Sequence, residues 1–235
     1  MNKLLLTVIV LALVASSGFS VVMAKPSIQP LDIVRGAFVD YAFNSPPWYP
    51  TIDSDNYKWA PRIYWASSDL PIDIIIYTKE EPSSLDTFSA ISLGFDEWDD
   101  NTTATQLYDS ITEDASSDWP GVSLDGSNTV GWDEIDGSGG VIGITYYWYN
   151  RATKQMVEFD IVLDEQESWS TDGTAGTFDV QSIATHEAGH TLVLGDIYSP
   201  RDAALTMYGY ALKGNIDKRD LATGDISGVQ AIYGP

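Results

Sequence analysis

The chain has 235 residues, 44% of them hydrophobic, enough to bury the core of one domain of ordinary size with a further short segment. Thirty-four acidic residues against 12 basic ones give a formal net charge of −22, and a surface of that sign repels phosphate backbones and anionic bilayers, so nucleic acid is set aside as a partner. There is no cysteine, so an exported form has neither disulfides nor a thiol to draw on and must rely on its core and on metal ions.

Residues 1–24 read as a secretory signal peptide: Lys3 precedes an apolar run from Leu4 to Ala15 that is short for a bilayer span, and the small Ala24 stands before Lys25. An uncleaved N-terminal anchor is the alternative, and either form places the protein outside the cell, secreted or tethered to its surface. No later stretch is apolar enough to span a membrane. Residues 25–68, rich in Pro, Trp and Tyr and without a sustained period, read as an irregular N-terminal arm or a short pro-segment.

Regular structure is predicted from the β-branched run "PIDIIIYT" (71–78), a buried strand. A helix follows, capped by Ser83 or Ser84, in which Leu85, Phe88, Ile91, Leu93, Phe95 and Trp98 recur at near-helical spacing. Asn101-Thr102-Thr103 is a glycosylation sequon. The polar stretch 104–132 holds the short strand candidates "TQLYDSI" and "NTVGW". Beyond the turn "DGSGG", "VIGITYYWYN" and "MVEFDIVLD" are two strands joined through 150–154. A helix starts at Asp179 as cap, with Val180, Ile183, Ala184 and Ala188 facing inward, and "DISGVQAIY" (225–233) closes the chain as a last helix. Strands and helices in this order imply a mixed sheet with helices packed on it, an α+β or α/β-type domain.

Both histidines of the chain lie in "THEAGHTLVLGD" (185–196). On a helix His186 and His190, at i and i+4, share one face and can aim two ring nitrogens at one ion, while Glu187 sits about 100° further round, within reach of a water held there. A catalytic zinc needs a third protein ligand and an open position. No glutamate follows Glu187, but Asp196 stands six positions past His190, behind Gly195, whose freedom at positive φ suits a sharp helix ending. Met207 follows eleven residues later. A His-Glu-x-x-His string also arises by chance in an ordinary helix; here the site consumes every histidine in the sequence.

Three separated motifs, "HEAGHTLVLGD", "YSPRDAALTMYGYA" and "DLATGDISGVQAIYGP", resemble in order those of the matrixin branch of the metzincin metalloproteases, a resemblance covering roughly residues 69–235. It implies a catalytic domain with a twisted, mostly parallel sheet of about five strands, one antiparallel edge strand and three main helices. It further implies that His186, His190 and Asp196 bind zinc, that Glu187 is the general base and that Met207 forms a turn beneath the metal. A protein or peptide substrate would lie along the edge strand at Gly143 and Ile144, with Tyr208 and Tyr210 lining the primed-side pocket. Two departures stand out: the third ligand is Asp196 where the family usually has histidine, and Val193 replaces the glycine three positions after the second histidine, so that Gly195 must make the turn or the helix must end later.

The strands before the active-site helix carry no histidine, so the family's structural zinc has no ligands in its usual form. "IDGSGG" and "LDEQESW" resemble the family's calcium loop, with Asp136, the Gly137 and Gly139 carbonyls, Asp164 and Glu167 as oxygen donors; ordinary solvated acids are the alternative. Without cysteine a thiol cannot cap the zinc, which leaves an aspartate such as Asp53 or Asp55. The implied function is a secreted, monomeric zinc endopeptidase; the alternative is a non-catalytic secreted binding protein that retains the fold.

Overall fold

A computed structural model of the chain describes residues 33–43, 54–59, 62–82, 85–102 and 105–235. The signal-peptide stretch, Ser83, Ser84, Asp53 and Thr103 of the sequon lie outside these residues. The β-branched and aromatic runs form strands close to where the sequence predicts them, β2 (Ile72–Tyr77), β3 (Tyr108–Asp114), β4 (Thr129–Asp133), β5 (Val141–Asn150) and β6 (Met156–Asp164), and an unpredicted strand β1 (Ile33–Ala42) precedes them. Short strands β7 (Trp169–Ser170) and β8 (Phe178–Asp179) pair with each other, and β9 is Tyr210–Ala211.

Seven strands make one mixed sheet in the order β3-β2-β4-β6-β5-β1-β9. Its first five members are the sheet that the resemblance implies: β2 runs parallel to β3 and β4, β4 parallel to β6, and β5 antiparallel to β6. The β5–β6 turn is closed by Asn150, whose Oδ1 accepts the N–H groups of Ala152 at 2.8 Å and Thr153 at 3.1 Å.

The last two strands correct the sequence reading. Residues 33–42 are not irregular but form a ten-residue strand, antiparallel to β5 from Ile33 opposite Asn150 to Tyr41 opposite Val141, and parallel to β9 at Tyr41 and Ala42. Positions 36, 38, 40 and 42 face inward and 35, 37, 39 and 41 outward, a period of two that the polar Asp40 and the small Gly36 hide from a count of apolar residues.

Among the described residues three α-helices accompany the sheet: α1 (Thr87–Asp100), α2 (Val180–Thr191) and α3 (Thr223–Tyr233). The cap of α1 is Asp86, whose side chain accepts from Ser89 N at 3.4 Å. Its buried face, Ile91, Phe95 and Trp98, packs with Phe159, Ile161 and the α2 residues Ile183, Ala184 and Ala188, whereas Leu93 turns to solvent at 51% exposure. Burial of each such large apolar side chain contributes about 1.5–3 kcal/mol. The two helices touch at Gly94, where a Cβ would lie 2.7 Å from Thr185 N, and Trp98 Nε1 donates to Thr185 O at 2.8 Å. Thus α1 grips the backbone of α2 one residue before His186. No helix among the described residues is long and apolar enough to cross a membrane.

Candidate active site and metal centre

The helix that carries the motif begins where the sequence places its cap. Asp179 accepts from Ser182 N at 2.9 Å and is itself held by Arg219, whose Nη2 lies 2.6 Å from Oδ2. From that fixed start, His186 and His190 fall on one face with ring centroids 4.7 Å apart, both fully buried. Each imidazole is oriented through Nδ1: His186 donates to Thr206 O at 2.7 Å and His190 to Leu194 O at 2.8 Å. A carbonyl only accepts, so the proton sits on Nδ1 and each Nε2 presents a lone pair. Both Nε2 atoms are buried without a hydrogen-bond partner.

Asp196 completes the group. Its Oδ1, also unpartnered, lies 3.3 Å from His186 Nε2 and 3.4 Å from His190 Nε2. Two nitrogen lone pairs and a carboxylate oxygen converging within 4.8 Å repel one another unless a cation lies between them, and nitrogen and oxygen donors in threes are what zinc takes in a catalytic site. These residues therefore fit the metal that the motif implies.

The turn that delivers Asp196 differs from expectation. Helix α2 ends at Thr191 with Leu192 as cap, and the positive dihedral falls on Val193, at φ 65°, not on Gly195. A β-branched residue is strained in this left-handed region. Surrounding contacts enforce it: Leu194 N donates to Gly189 O at 3.1 Å and Gly195 N to Lys58 O at 2.7 Å, while Trp59 bridges to Leu194. The helix ends where the family's glycine would end it, with a valine forced into the glycine's conformation.

Glu187 is fully buried. Its Oε2 accepts from the Thr145 hydroxyl, and its Oε1 has no partner. Burial pushes its carboxyl up to about 8; His190 opposes the rise and the Asp40 carboxylate adds to it. Gly143 gives this carboxylate room, since a Cβ there would lie 2.8 Å from Oε1. Ile144 follows in β5, on the strand that pairs with β1.

Met207 packs against the histidine-bearing helix at Gly189. Gly189 leaves space for its Sδ and for Trp98, whose Cζ2 would be 2.6 Å from an added Cβ. The buried Asp225 carboxylate fixes the turn by accepting from Thr206 N at 2.8 Å and Met207 N at 3.0 Å, so α3 reaches His186 through the Thr206 carbonyl. Tyr208 and Tyr210 line a cavity with Phe43, Phe178, Ile183 and Lys218.

The proposed calcium donors are only partly gathered. Asp136 accepts from Val141 N at 3.0 Å, and the Glu167 oxygens are taken by Gly139 N and by Lys213 Nζ, the latter at 3.0 Å. Asp164 Oδ2 is buried and unpartnered, and Gly137 and Gly139 adopt φ of 83° and 96°. Among the described residues Asp136, Asp164 and Glu167 do not converge as a three-carboxylate cluster.

Four residues at the site escaped the sequence reading: Thr145, Asp225, Phe43 and Asp40. Asp55 is exposed, and the carboxylate beside the histidines is Asp40, with Oδ1 4.0 Å from His186 Nε2. Alternation in β1 could have placed Asp40 inward; nothing local shows what it meets.

The family profile described as matrixin matches residues 64–234. The chain is 38% identical to metalloendoproteinase 1-MMP of Arabidopsis thaliana over 78 residues, 31% of this chain and 20% of the relative. It is 28% identical over 173 residues to interstitial collagenase of Equus caballus and over 171 to stromelysin-1 of Mus musculus, covering 73% and 72% of this chain and 33% of each relative. The chain thus spans a third or less of the length of these relatives. With the profile covering most of the chain, and the histidine pair, its acidic third partner and the methionine turn assembled in one place, the protein belongs to the matrixin family.

Proposed function

We propose that the protein is a secreted, zinc-dependent endopeptidase with Glu187 as general base. The observation that carries this reading is the convergence of three unpartnered buried donors, His186 Nε2, His190 Nε2 and Asp196 Oδ1, next to an unpartnered carboxylate oxygen of Glu187. Zinc is the metal of the family, and in this donor set it supplies Lewis-acid polarisation of a scissile carbonyl and acidifies a water.

The chain's own residues do the rest. The Thr145 hydroxyl holds Glu187 Oε2, leaving Oε1 to take a proton from water and return it to the departing amine. A carboxyl raised by burial is matched to both duties near neutral pH. Gly143 and Ile144, which pair with Asp40 and Val39 of β1 in this structure, would offer main-chain pairing to an extended peptide once β1 gives way, and Tyr208 and Tyr210 wall the adjoining cavity. Secretion rests on the basic-apolar-small pattern of residues 1–24, and the strongly acidic surface favours a monomer that avoids polyanions. A structural calcium near 136–167 is a second reading, supported by the orphaned Asp164 Oδ2; it must compete with Lys213 for Glu167.

The test is the Glu187→Ala chain. It should keep its zinc and lose peptide cleavage by about 10²- to 10⁴-fold. Undiminished turnover, or a wild-type chain that binds no zinc, overturns the reading.

A further inference from the structure

Lys218 is the one lysine or arginine that lies buried among the described residues, at 7% exposure. Its ammonium group stands behind His186, with Nζ 3.2 Å from Nδ1, the ring nitrogen opposite the metal-facing Nε2. Nδ1 already donates to Thr206 O and has no lone pair left to accept with, so the contact sets a charge against the imidazole and is not a hydrogen bond. The position is fixed from both sides: Thr206 Oγ1 donates to Lys218 O at 3.4 Å, and Arg219, next in the chain, clamps Asp179 at the start of α2.

Nζ donates to Tyr208 O, but among the described residues no carboxylate pairs with it. Burying an ammonium without a carboxylate is strongly unfavourable, and a neutral amide would make the same bond to Tyr208 O at far smaller cost. The far side of the His186 ring supplies the reason for a charge. Asp196 Oδ1 lies 3.3 Å from His186 Nε2 and Asp40 Oδ1 4.0 Å from it, and Glu187 joins the same cluster. Three carboxylates thus face the donor atoms. A histidine as third ligand would bring no charge, whereas Asp196 brings a full negative one, which tightens the hold on a cation and blunts its pull on a carbonyl. Lys58 offers little relief: its Nζ reaches only the Asp196 main-chain oxygen, at 3.4 Å, from an exposed side chain that solvent screens.

We propose that Lys218 is a counter-charge built in behind His186, offsetting the negative charge that Asp196 brings to the site and keeping the bound metal electron-poor. The inference rests on the metal-site reading above. A carboxylate or carbonyl behind a ligating imidazole makes it a stronger donor, and a cation there does the reverse by drawing electron density away from Nε2. Lys218 touches neither metal nor substrate. It acts through the His186 ring as a positioning residue, giving up some metal affinity for Lewis acidity.

The test compares the zinc-loaded full chain with Lys218→Gln, which offers a neutral N–H donor, and with Lys218→Met, an apolar side chain of similar length. Zinc affinity is read by competition with a chromophoric chelator, and a peptide hydroxamate is titrated as an anionic, zinc-directed probe. Both variants should hold zinc about tenfold tighter and bind the hydroxamate about fivefold more weakly. A residue that only braces Tyr208 O would, when replaced, loosen zinc and hydroxamate together, so the opposite signs identify the charge. Zinc affinity unchanged or weaker in the variants, or hydroxamate affinity that does not fall, overturns the inference and leaves the metal site standing; absence of zinc from the wild type overturns both.

Discussion

Val193 offers a direct measure of how the third ligand is delivered. Its φ of 65° lies where a residue with a Cβ is disfavoured by roughly 1–2 kcal/mol, whereas glycine is not. Replacing it by Ala or by Gly removes the same two buried γ-methyl groups, about 0.8 kcal/mol each, from a side chain of 0% exposure, so that loss cancels between the two variants. Only the Cβ distinguishes them. At ordinary dihedrals glycine is the poorer residue by about 0.5–1 kcal/mol through its freedom in the unfolded chain. At position 193 relief of the left-handed penalty exceeds that loss, and Val193→Gly should be more stable than Val193→Ala by about 1 kcal/mol. Urea unfolding of both variants at equal zinc concentration, with matching m-values, reads the difference. An Ala variant as stable as the Gly variant would show that position 193 does not hold the left-handed conformation and that the turn toward Asp196 is made elsewhere.

Other consequences follow from the same geometry. Asp196→Ala removes one of three ligands and should weaken zinc binding by at least about 100-fold, read by competition with a chromophoric chelator; affinity within a few-fold of the wild type would exclude Asp196 as a ligand. Gly189→Ala places a methyl against Met207 Sδ and Trp98, and should destabilise the fold by about 1 kcal/mol or more despite alanine's better helix propensity, with a lower thermal midpoint as the readout. Burial raises the Asp160 carboxyl to about 6, against the opposing Thr129 and Ser123 hydrogen bonds. The folded chain therefore keeps this proton through the range in which the unfolded chain has released it, and the contribution present below about pH 4 is lost as pH rises to about 6. Stability profiles of wild type and Asp160→Asn should differ in slope across that window, and parallel profiles would refute the assignment.

Much of the site was legible because its determinants are local. Asp179 caps a helix three residues before the amide it accepts, the i, i+4 spacing puts His186 and His190 on one face, and the β-branched and aromatic runs 141–150 and 156–164 mark β5 and β6 to the residue. The order of these elements was sufficient for a mixed sheet with helices packed on it, and the five-strand, mostly parallel arrangement came from the family resemblance.

What the sequence did not disclose depends on partners distant in the chain. Residues 33–42 become a strand because β5 has an unpaired edge more than a hundred positions later, and Asp40 acquires meaning only when that register sets it opposite Gly143. Gly195 is the residue that local propensity selects for the turn, yet Val193 takes the left-handed conformation because the backbone of Lys58 and Trp59 fixes the next two residues. Glu167, an oxygen donor by pattern, spends both oxygens on Gly139 and Lys213. Sequence alone determined the metal-ligand helix, because helices and caps are settled within a few residues; tertiary structure decided what fills the cleft and how Asp196 reaches the metal, because strand edges and strained turns are settled by whatever packs against them.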